Sequence, residues 1–443
     1  MVDEKLLQFI WQYRCYNPSA LTTIQGETVT VIYPGRYNYD GGPDFLEAIL
    51  LIGNTKWAGH VEIHTKESLW HTHGHSNDDK YRNVILHVVI ESDLDTRALP
   101  TLSLEGRIAP SLLASYRRQM EQKQLLPCQS DIQSVPEIVF THWRERMMVE
   151  RLQYKAQHIL ALLSELNNDW NQVAFILVSS CLGLPSNTEA MERLARAIDY
   201  KIMLKNGDSI FTAEAMLFGV AGMLADVPVQ DYTLALQKEY LYQKQKYHLK
   251  EMTLVQWQWL RMRPASFPTV RIAQLAAICT TLFPFMKKIV ENQLSFLSAL
   301  EHIETSKYWQ RHYTFEKTGK ERKKHIGKDL SNRIGSNVVA PLLMAYGIYK
   351  YDSSYQDKAI DLISSLPPEE NTITKKFLGI STPSLTSAHT QGLLQLYKNY
   401  CVKKKCLDCA IGCHILKKSA NLEIYANKPT FEIQEEEILY ARA

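Results

Sequence analysis

Residues 43–64, PDFLEAILLIGNTKWAGHVEIH, decide the fold expected for the N-terminal part of the chain. Two apolar runs, Phe45 to Ile52 and Trp57 to His64, are separated by the short segment Gly53-Asn54-Thr55-Lys56. Apolar runs of this length, joined by a few residues that include glycine, predict a β-hairpin. A hairpin places the beginning of its first strand beside the end of its second, so polar residues at those two positions are expected to converge.

Potential metal ligands occupy both positions. Asp44 precedes the first strand, and Glu62 and His64, two residues apart, share one face at the end of the second. Two carboxylates and an imidazole can hold a divalent ion, which activates water and neutralises charge on a phosphate. We therefore expect Mg²⁺ or Mn²⁺ held by the catalytic residues Asp44, Glu62 and His64. The alternative is a structural hairpin in which Asp44 caps a turn after residues 41–43.

The loop after the second strand is rich in histidine. His71, His73 and His75 alternate with smaller residues, and Asp78 follows them. These side chains could complete or gate the metal site, or bind zinc themselves; a solvated loop is the alternative. His87 lies inside the next apolar run, where a hydrogen-bonded core histidine is the simpler interpretation.

Four of the eight cysteines crowd the C-terminal part of the chain. Cys401, Cys406 and Cys409 have C-x4-C-x2-C spacing, and a C-x2-C pair suits tetrahedral zinc or an iron–sulfur cluster. The fourth ligand is either the nearby Cys413 or Cys128, brought in by folding. In a cytosolic chain such crowding favours a metal or redox site over disulfides. Reduced free thiols are the alternative.

The chain of 443 residues is too long for one ordinary core. The sequence pattern changes along the chain. Residues 4–14 carry an amphipathic stripe, strand-like runs lie between residues 28 and 105, and long amphipathic stretches begin at about Pro136. We expect an α+β fold, with a mixed-sheet domain over residues 1–135 and a larger all-α domain over residues 136–443.

Bulk composition narrows the class of protein. With 50 basic and 47 acidic side chains the net charge is +3, which neither demands nor excludes a nucleic-acid partner. The longest apolar runs, such as residues 338–346, are far shorter than the roughly 20 residues of a membrane span, and no signal peptide is evident. We expect a cytoplasmic protein without a membrane partner, and no pattern indicates an oligomeric state.

The order of helix, three strands, short helical segment and strand, with the spacing Pro43-Asp44…Glu62-x-His64, resembles the PD-(D/E)XK nuclease superfamily. The resemblance implies that Asp44 and Glu62 bind metal in a phosphodiesterase, a nuclease acting on DNA or RNA. His64 stands where these enzymes carry a lysine that helps to activate water, and histidine can serve there as base or ligand. The missing lysine leaves an alternative, an inactive nuclease fold serving as a nucleic-acid-binding or assembly protein.

A second resemblance covers nearly the whole chain and is carried by motifs that occur in order across both expected domains. They are GGPDF (41–45), WAGHVEIH (57–64), His73-x-His75-x-x-Asp78, EAMLFGVAGML (214–224), RPASFPTVRIAQLA (263–276), NVVAPLLMAYG (337–347) and CLDCAIG (406–412). These motifs resemble a bacterial family, domain of unknown function 2851, which implies no established activity. His71 lies outside the family pattern, so His73 and His75 are the better candidates.

The same resemblance bears on the cysteines. The family pattern includes Cys128 together with Cys401, Cys406 and Cys409, but not usually Cys413, and therefore implies Cys128 as the fourth ligand of an iron–sulfur cluster or zinc. Some RecB-type nucleases are similar, because one upstream and three downstream cysteines hold a cluster beside their core.

Overall fold

The computed structural model describes residues 2–94, 99–122, 124, 126–253, 256–377 and 386–420. The fold is α+β, with a mixed sheet in the N-terminal part and mostly helices after it. Contacts group the described residues into two compact units. The first contains residues up to 143 together with 396–420, and the second contains residues 144–377 and 386–395.

The first unit is built on one sheet. Its strands are β1 (Val29–Tyr33), β2 (Arg36–Tyr37), β3 (Phe45–Ile52), β4 (Thr55–Ile63), β5 (Val84–Val89) and β6 (Thr101–Ser103). The strand order is β1-β3-β4-β5-β6, with β2 also paired to β3. β3 is antiparallel to β1, β2 and β4, whereas β5 is parallel to β4 and β6. The sheet is therefore mixed, as expected from the sequence.

The predicted hairpin is confirmed, but its turn is shorter than expected. Ile52 pairs with Thr55, so a two-residue turn that begins at Gly53 joins β3 to β4. Gly53 has a φ of +58°, and tight hairpin turns need such left-handed residues. At the other end Phe45 pairs with Val61, which brings the start of β3 to the end of β4.

Helix α1 (Glu4–Gln12) contacts β4 and begins where the Asp3 side chain accepts a hydrogen bond from the Leu6 amide at 2.8 Å. Its apolar side chains share one core with the strands; they are Leu6, Leu7, Phe9, Ile10 and Trp11. Every residue of β5 is buried, which explains its unbroken apolar sequence, because a strand covered on both faces needs no polar alternation. Helix α3 (Pro110–Glu121) follows the sheet.

Short helical turns connect β4 to β5. They are α2 (Leu69–Thr72) and the 3-10 turns His75–Asn77 and Asp79–Tyr81. Parallel neighbouring strands need such a crossover, since the chain must return to the end of the sheet at which the first strand began. The crossover leaves from the C-terminal end of β4 and so keeps the histidine segment close to Glu62 and His64.

The second unit is helical. Its elements come from the series α4 (Glu137–Glu165), α5 (Trp170–Leu182), α6 (Thr188–Arg196), α7 (Tyr200–Lys205), α8 (Ile210–Val220), α9 (Asp231–Tyr247), α10 (Pro268–Leu282), α11 (Phe285–Glu291), α12 (Gln293–Glu301), α13 (Lys307–Arg311), α14 (Lys328–Ile334), α15 (Ala340–Lys350), α16 (Ser353–Ser365), α17 (Thr372–Lys376) and α18 (Ser387–Leu396). A π-helical turn, Gly335–Val339, joins α14 to α15. Helix α19 (Ala410–Ser419) belongs to the first unit and contacts α3.

Three consecutive helices, α10, α11 and α12, are separated by short breaks. Pro284 has no amide hydrogen and separates α10 from α11. Asn292 accepts a hydrogen bond from the Ser295 amide at 2.9 Å and so caps α12. Among the helices of the described ranges, none alone is long and apolar enough to cross a bilayer; by length and composition, the bent pair α10 and α11, at 64°, passes that test.

Candidate metal centre

Glu62 and His64 end β4 and are both buried, with 5% and 1% of their surfaces exposed. The parallel ladder places Glu62 opposite His87 of β5, and the His64 amide donates to the Val88 carbonyl at 3.0 Å. The backbone of both residues is therefore fixed by the sheet. Their side chains share one face, as the two-residue spacing predicted.

His64 is anchored through one ring nitrogen. Its Nδ1 lies 2.9 Å from Nε2 of His87, a buried residue of β5. Burial and the neighbouring imidazoles lower the pKa of His64 to about 3, and burial lowers the pKa of His87 to about 4. Both rings are consequently neutral near pH 7, and a neutral imidazole is the form that binds metal. The bond to His87 turns Nε2 of His64 toward the histidine loop.

The crossover brings two further histidines to this nitrogen. Nδ1 of His73 lies 3.2 Å from Nε2 of His64, and the ligand atoms of His64, His73 and His75 all lie within 4.8 Å of one another. Oε1 of Glu62 lies 3.6 Å from Nε2 of His64 and 3.4 Å from Nε2 of His75. Three imidazoles and one carboxylate therefore point at a common space.

The spacing of these atoms fits a metal ion. An ion with tetrahedral bonds of about 2.0–2.1 Å separates its ligand atoms by about 3.3–3.4 Å, close to the observed 3.2, 3.4 and 3.6 Å. Nε2 of His75 is buried and has no hydrogen-bond partner among the described residues. Leaving such an atom unsatisfied is costly, and coordination would satisfy it. The residues thus fit a bound divalent metal.

Asp44 lies beside this group but faces the backbone. Its carboxylate accepts hydrogen bonds from Nε2 of Gln8 at 2.8 Å and from the Ile63 amide at 3.1 Å. Its own amide donates to Oε2 of Glu62 at 3.0 Å. Burial is the main cause that raises the pKa of both carboxyls, and the charge of Asp44 raises that of Glu62 further. Asp44 therefore holds Glu62 in place, and a nearby cation would relieve the repulsion between them.

The sequence did not single out two residues of α1. Gln8 is buried against Asp44, and Glu4, one helical turn earlier, is half-buried. Burial raises the pKa of Glu4, and the charge of His73 opposes the rise. The sequence feature that could have indicated this role is an amide side chain, Gln8, within the otherwise apolar and buried run Leu6 to Trp11.

The remaining residues of the histidine segment have supporting positions. The ring of Tyr81 stacks on His75 with centroids 3.9 Å apart. The Asp78 carboxylate accepts from the Lys80 amide at 3.0 Å and caps the last 3-10 turn. His71 is exposed to solvent. Among the side chains predicted at this site, the structure therefore brings the ligand atoms of Glu62, His64, His73 and His75 together and places Asp78 at the rim.

Comparison with known proteins gives the chain a family. A family model described as Protein of unknown function (DUF2851) matches residues 4–372. The chain belongs to this family. The matched residues include the sheet, the histidine segment and Cys128, and they end before Cys401. Comparison with curated proteins and with solved structures found no match.

This DUF2851 chain also gathers cysteines in its first unit. Cys128, Cys406 and Cys409 are buried, and Cys401 is half-buried. Burial raises the pKa of the Cys401 thiol, and the sulfurs of Cys409, Cys128 and Cys406 raise it further. Burial likewise raises the pKa of Cys128 and of Cys406 to about 12. Burial and neighbouring sulfurs therefore favour the neutral thiol form of Cys128, Cys401 and Cys406.

Backbone amides at the beginning of α19 approach the Cys409 sulfur. Cys409 precedes the first turn of α19; burial raises its pKa, and the amides of Gly412 and Ile411 oppose the rise. A Cβ atom on Gly412 would lie 2.3 Å from the Cys406 carbonyl oxygen, so only glycine permits this approach. The Cys413 thiol instead donates to the Leu407 carbonyl at 2.9 Å.

Proposed function

We propose that this member of the DUF2851 family is a metal-dependent phosphodiesterase of the nuclease type, acting on DNA or RNA. Its metal ion would be held by His64, His73, His75 and Glu62. The observation that carries the proposal is the convergence of three imidazole ligand atoms within 4.8 Å of one another, with Oε1 of Glu62 3.6 Å from His64 and 3.4 Å from His75.

The donor set favours a transition metal. Imidazole nitrogens suit zinc, iron and manganese better than Mg²⁺, which prefers oxygen ligands and retains several waters. Between the two ions expected from the sequence, three histidines and one carboxylate therefore favour Mn²⁺ over Mg²⁺, and they also admit Zn²⁺. When bound, such an ion supplies a water of lowered pKa and positive charge for a phosphate.

The chain's own residues would orient these ligands. For Nε2 of His64 to offer its lone pair, Nδ1 must carry the proton and donate to His87. The Asp44 amide holds Glu62, and the ring of Tyr81 fixes the plane of His75. In this proposal His64 is a ligand rather than a substitute for the nuclease lysine, and Asp44 is a positioning residue.

The phosphodiester substrate is supported by the order of elements. Helix α1, the antiparallel strands β1, β3 and β4, the short helical segment and the parallel strand β5 come in the order that the nuclease resemblance implies. Asp44 and Glu62 also meet at the same end of the hairpin, where a nuclease would carry its metal. A PD-(D/E)XK-like core is therefore part of the proposal.

The test combines metal analysis with a cleavage assay. Full-length protein with Mn²⁺ or Zn²⁺ is expected to cut labelled DNA or RNA, and the double variant His73→Ala, His75→Ala should lose both cleavage and the bound ion. His71→Ala is the matched control and should keep both. A metal-loaded protein that cuts neither DNA nor RNA would overturn the proposal. Salt-dependent binding of nucleic acid that survives Asp44→Ala and Glu62→Ala would then identify a binding or assembly protein.

We also propose that Cys128, Cys401, Cys406 and Cys409 hold an iron–sulfur cluster or zinc. The support is the burial of Cys128, Cys406 and Cys409 and the influence of all three on the Cys401 thiol, whereas the Cys413 thiol is bonded to the Leu407 carbonyl. A cluster gives anaerobically purified protein a visible absorbance with bound iron and sulfide, whereas zinc is colourless. Protein that contains neither metal after such a purification would reject this site.

A further inference from the structure

Two cations of α4 are connected to one carboxylate in the second unit through the side-chain amides of two other residues. Nε of Arg151 donates to Oε1 of Gln391 at 2.5 Å, and Nζ of Lys155 donates to Oδ1 of Asn337 at 2.7 Å. Nε2 of Gln391 and Nδ2 of Asn337 in turn donate to Oε2 of Glu369, at 3.0 Å and 3.4 Å. Glu369 is thus held by neutral amides that stand between it and the cations.

Two arginines belong to helices α10 and α14, which both contact α5, the helix that carries Cys181. Burial raises the pKa of Cys181 to about 12, and the charges of Lys155, Arg333 and Arg271 oppose the rise, while that of Glu369 adds to it. Arg271 belongs to α10, and Arg333 belongs to α14. The side chains around Cys181 therefore include cations from three helices and one carboxylate.

Arg271 is half-buried, and its side-chain contacts include no compensating charge. The side-chain groups that its guanidinium contacts are neutral: Oε1 of Gln274 at 2.9 Å and Oγ of Ser266 at 3.5 Å. Its Nε is buried and has no partner among the described residues. Burial lowers the pKa of Arg271, and the charge of Arg333 lowers it further. A buried guanidinium is normally paired, because desolvating an unpaired charge is costly.

The backbone at this region is also unusual. Asn337 lies in the π-helical turn Gly335–Val339, and its Nδ2 donates to the Arg333 carbonyl at 3.1 Å. Single π-helical turns inserted between α-helical segments occur frequently at functional sites. The turn joins α14, which carries Arg333, to α15, and so sets the spacing between Arg333 and Asn337.

We propose that this cluster, the basic pocket, binds the phosphate group of a ligand. The basic pocket comprises four cations and one carboxylate: Arg151, Lys155, Arg271, Arg333 and Glu369. A phosphate offers several anionic oxygens, and planar guanidinium groups bind such oxygens in pairs. The phosphate could belong to a free nucleotide or to a nucleic-acid backbone. The inference goes beyond the proposed function, since it needs neither the metal centre nor catalysis.

Calorimetric titration of the purified full-length chain tests the basic pocket. Inorganic pyrophosphate probes a free phosphate ligand, and a single-stranded oligonucleotide without terminal phosphates probes a backbone phosphate. At least one probe should bind, and the double variant Arg271→Gln, Arg333→Gln should weaken that binding by about 10- to 100-fold, as expected for lost charged hydrogen bonds. The double variant Arg261→Gln, Arg263→Gln removes two exposed arginines of the same unit and should bind like wild type.

Glu369→Gln provides an independent measurement if the arginine variants do not fold. Removing the single carboxylate should tighten binding of the same probe, because the net positive charge of the pocket rises. Binding of pyrophosphate alone identifies a free phosphate ligand, and binding of the oligonucleotide identifies a backbone phosphate. The proposal is overturned if wild type binds neither probe, if both arginine double variants lose affinity equally, or if Glu369→Gln weakens binding while the chain stays folded.

Discussion

Nδ1 of His64 lies 2.9 Å from Nε2 of His87, across the parallel pair β4 and β5. This contact decides the chemistry of His64. One nitrogen is committed to a buried neighbour of the same sheet, so the other is held toward His73 at 3.2 Å. An imidazole fixed in this way is prepared to be a metal ligand, and its pKa of about 3 makes it a weak base near pH 7.

The first prediction concerns His87. His87→Phe keeps a buried ring but removes the acceptor for Nδ1 of His64, so His64 loses its orientation and preferred tautomer. We expect metal affinity at the candidate centre to fall by about 10- to 100-fold, the usual effect of losing such a partner. Competition with a fluorescent chelator measures it. His87→Gln retains a hydrogen-bonding side chain and should lose less; equal affinities in all three proteins would contradict the role assigned to His87.

The second prediction separates two candidate cysteines. Cys128→Ser should eliminate the visible absorbance or the zinc content of the proposed cysteine site, because Cys128 is the proposed fourth ligand and its charge influences the Cys401 thiol. Cys413→Ser should preserve both, since the Cys413 thiol is bonded to the Leu407 carbonyl. Metal and sulfide analysis of anaerobically purified proteins gives the answer, and the reverse pattern would make Cys413 the fourth ligand.

The third prediction concerns Gly412. A methyl group at this position would lie 2.3 Å from the Cys406 carbonyl, so Gly412→Ala must displace the loop that carries Cys406 and Cys409. We expect loss of most of the metal bound by the cysteine cluster, measured as metal per chain. Gly327→Ala is the matched control, because a Cβ there meets no atom within 4 Å. Full occupancy in Gly412→Ala would show that the close approach is not required.

The fourth prediction is a pH dependence in the second unit. Glu214 is fully buried, accepts a hydrogen bond from the Tyr232 hydroxyl at 2.6 Å, and has a pKa raised by burial from 4.5 to about 7. The folded chain therefore binds a proton more tightly than the unfolded chain. The resulting stability is present below pH 4.5 and is lost as pH rises through about 7, with a magnitude on the order of 3 kcal/mol.

Urea unfolding at pH 5 and pH 8 measures that change. Glu214→Gln stays neutral at both values, so its free energy of unfolding should decrease less between them than that of wild type. Glu316→Gln alters an exposed glutamate of the same unit and should follow wild type. If Glu214→Gln shows the wild-type decrease, the buried carboxyl is not its source.

Local patterns predicted most elements correctly. The alternation and turn of residues 45–64 specify a hairpin, because strand periodicity and glycine at a left-handed turn depend on near neighbours. The same holds for β5 and for α1, whose apolar stripe matches its buried face. Pro284 and the Asn292 cap divide the helical residues between Pro268 and Glu301 into three helices.

The candidate site was only partly predictable. Asp44, Glu62 and His64 were expected together because a hairpin constrains them, and that constraint is local. Glu4 and Gln8 were missed, since nothing in α1 indicates which strand end it will contact. The basic pocket was missed for the same reason, as its side chains are contributed by helices far apart in sequence.

The sequence by itself determined the α+β class, the hairpin and the residue types available for metal binding. Only the tertiary structure decided that His64 bonds to His87 and that the amide of Asp44 supports Glu62. The physical reason is that secondary structure follows from short-range periodicity and backbone hydrogen bonding. Which distant side chains meet depends instead on strand direction, crossover path and core packing, which are properties of the whole fold.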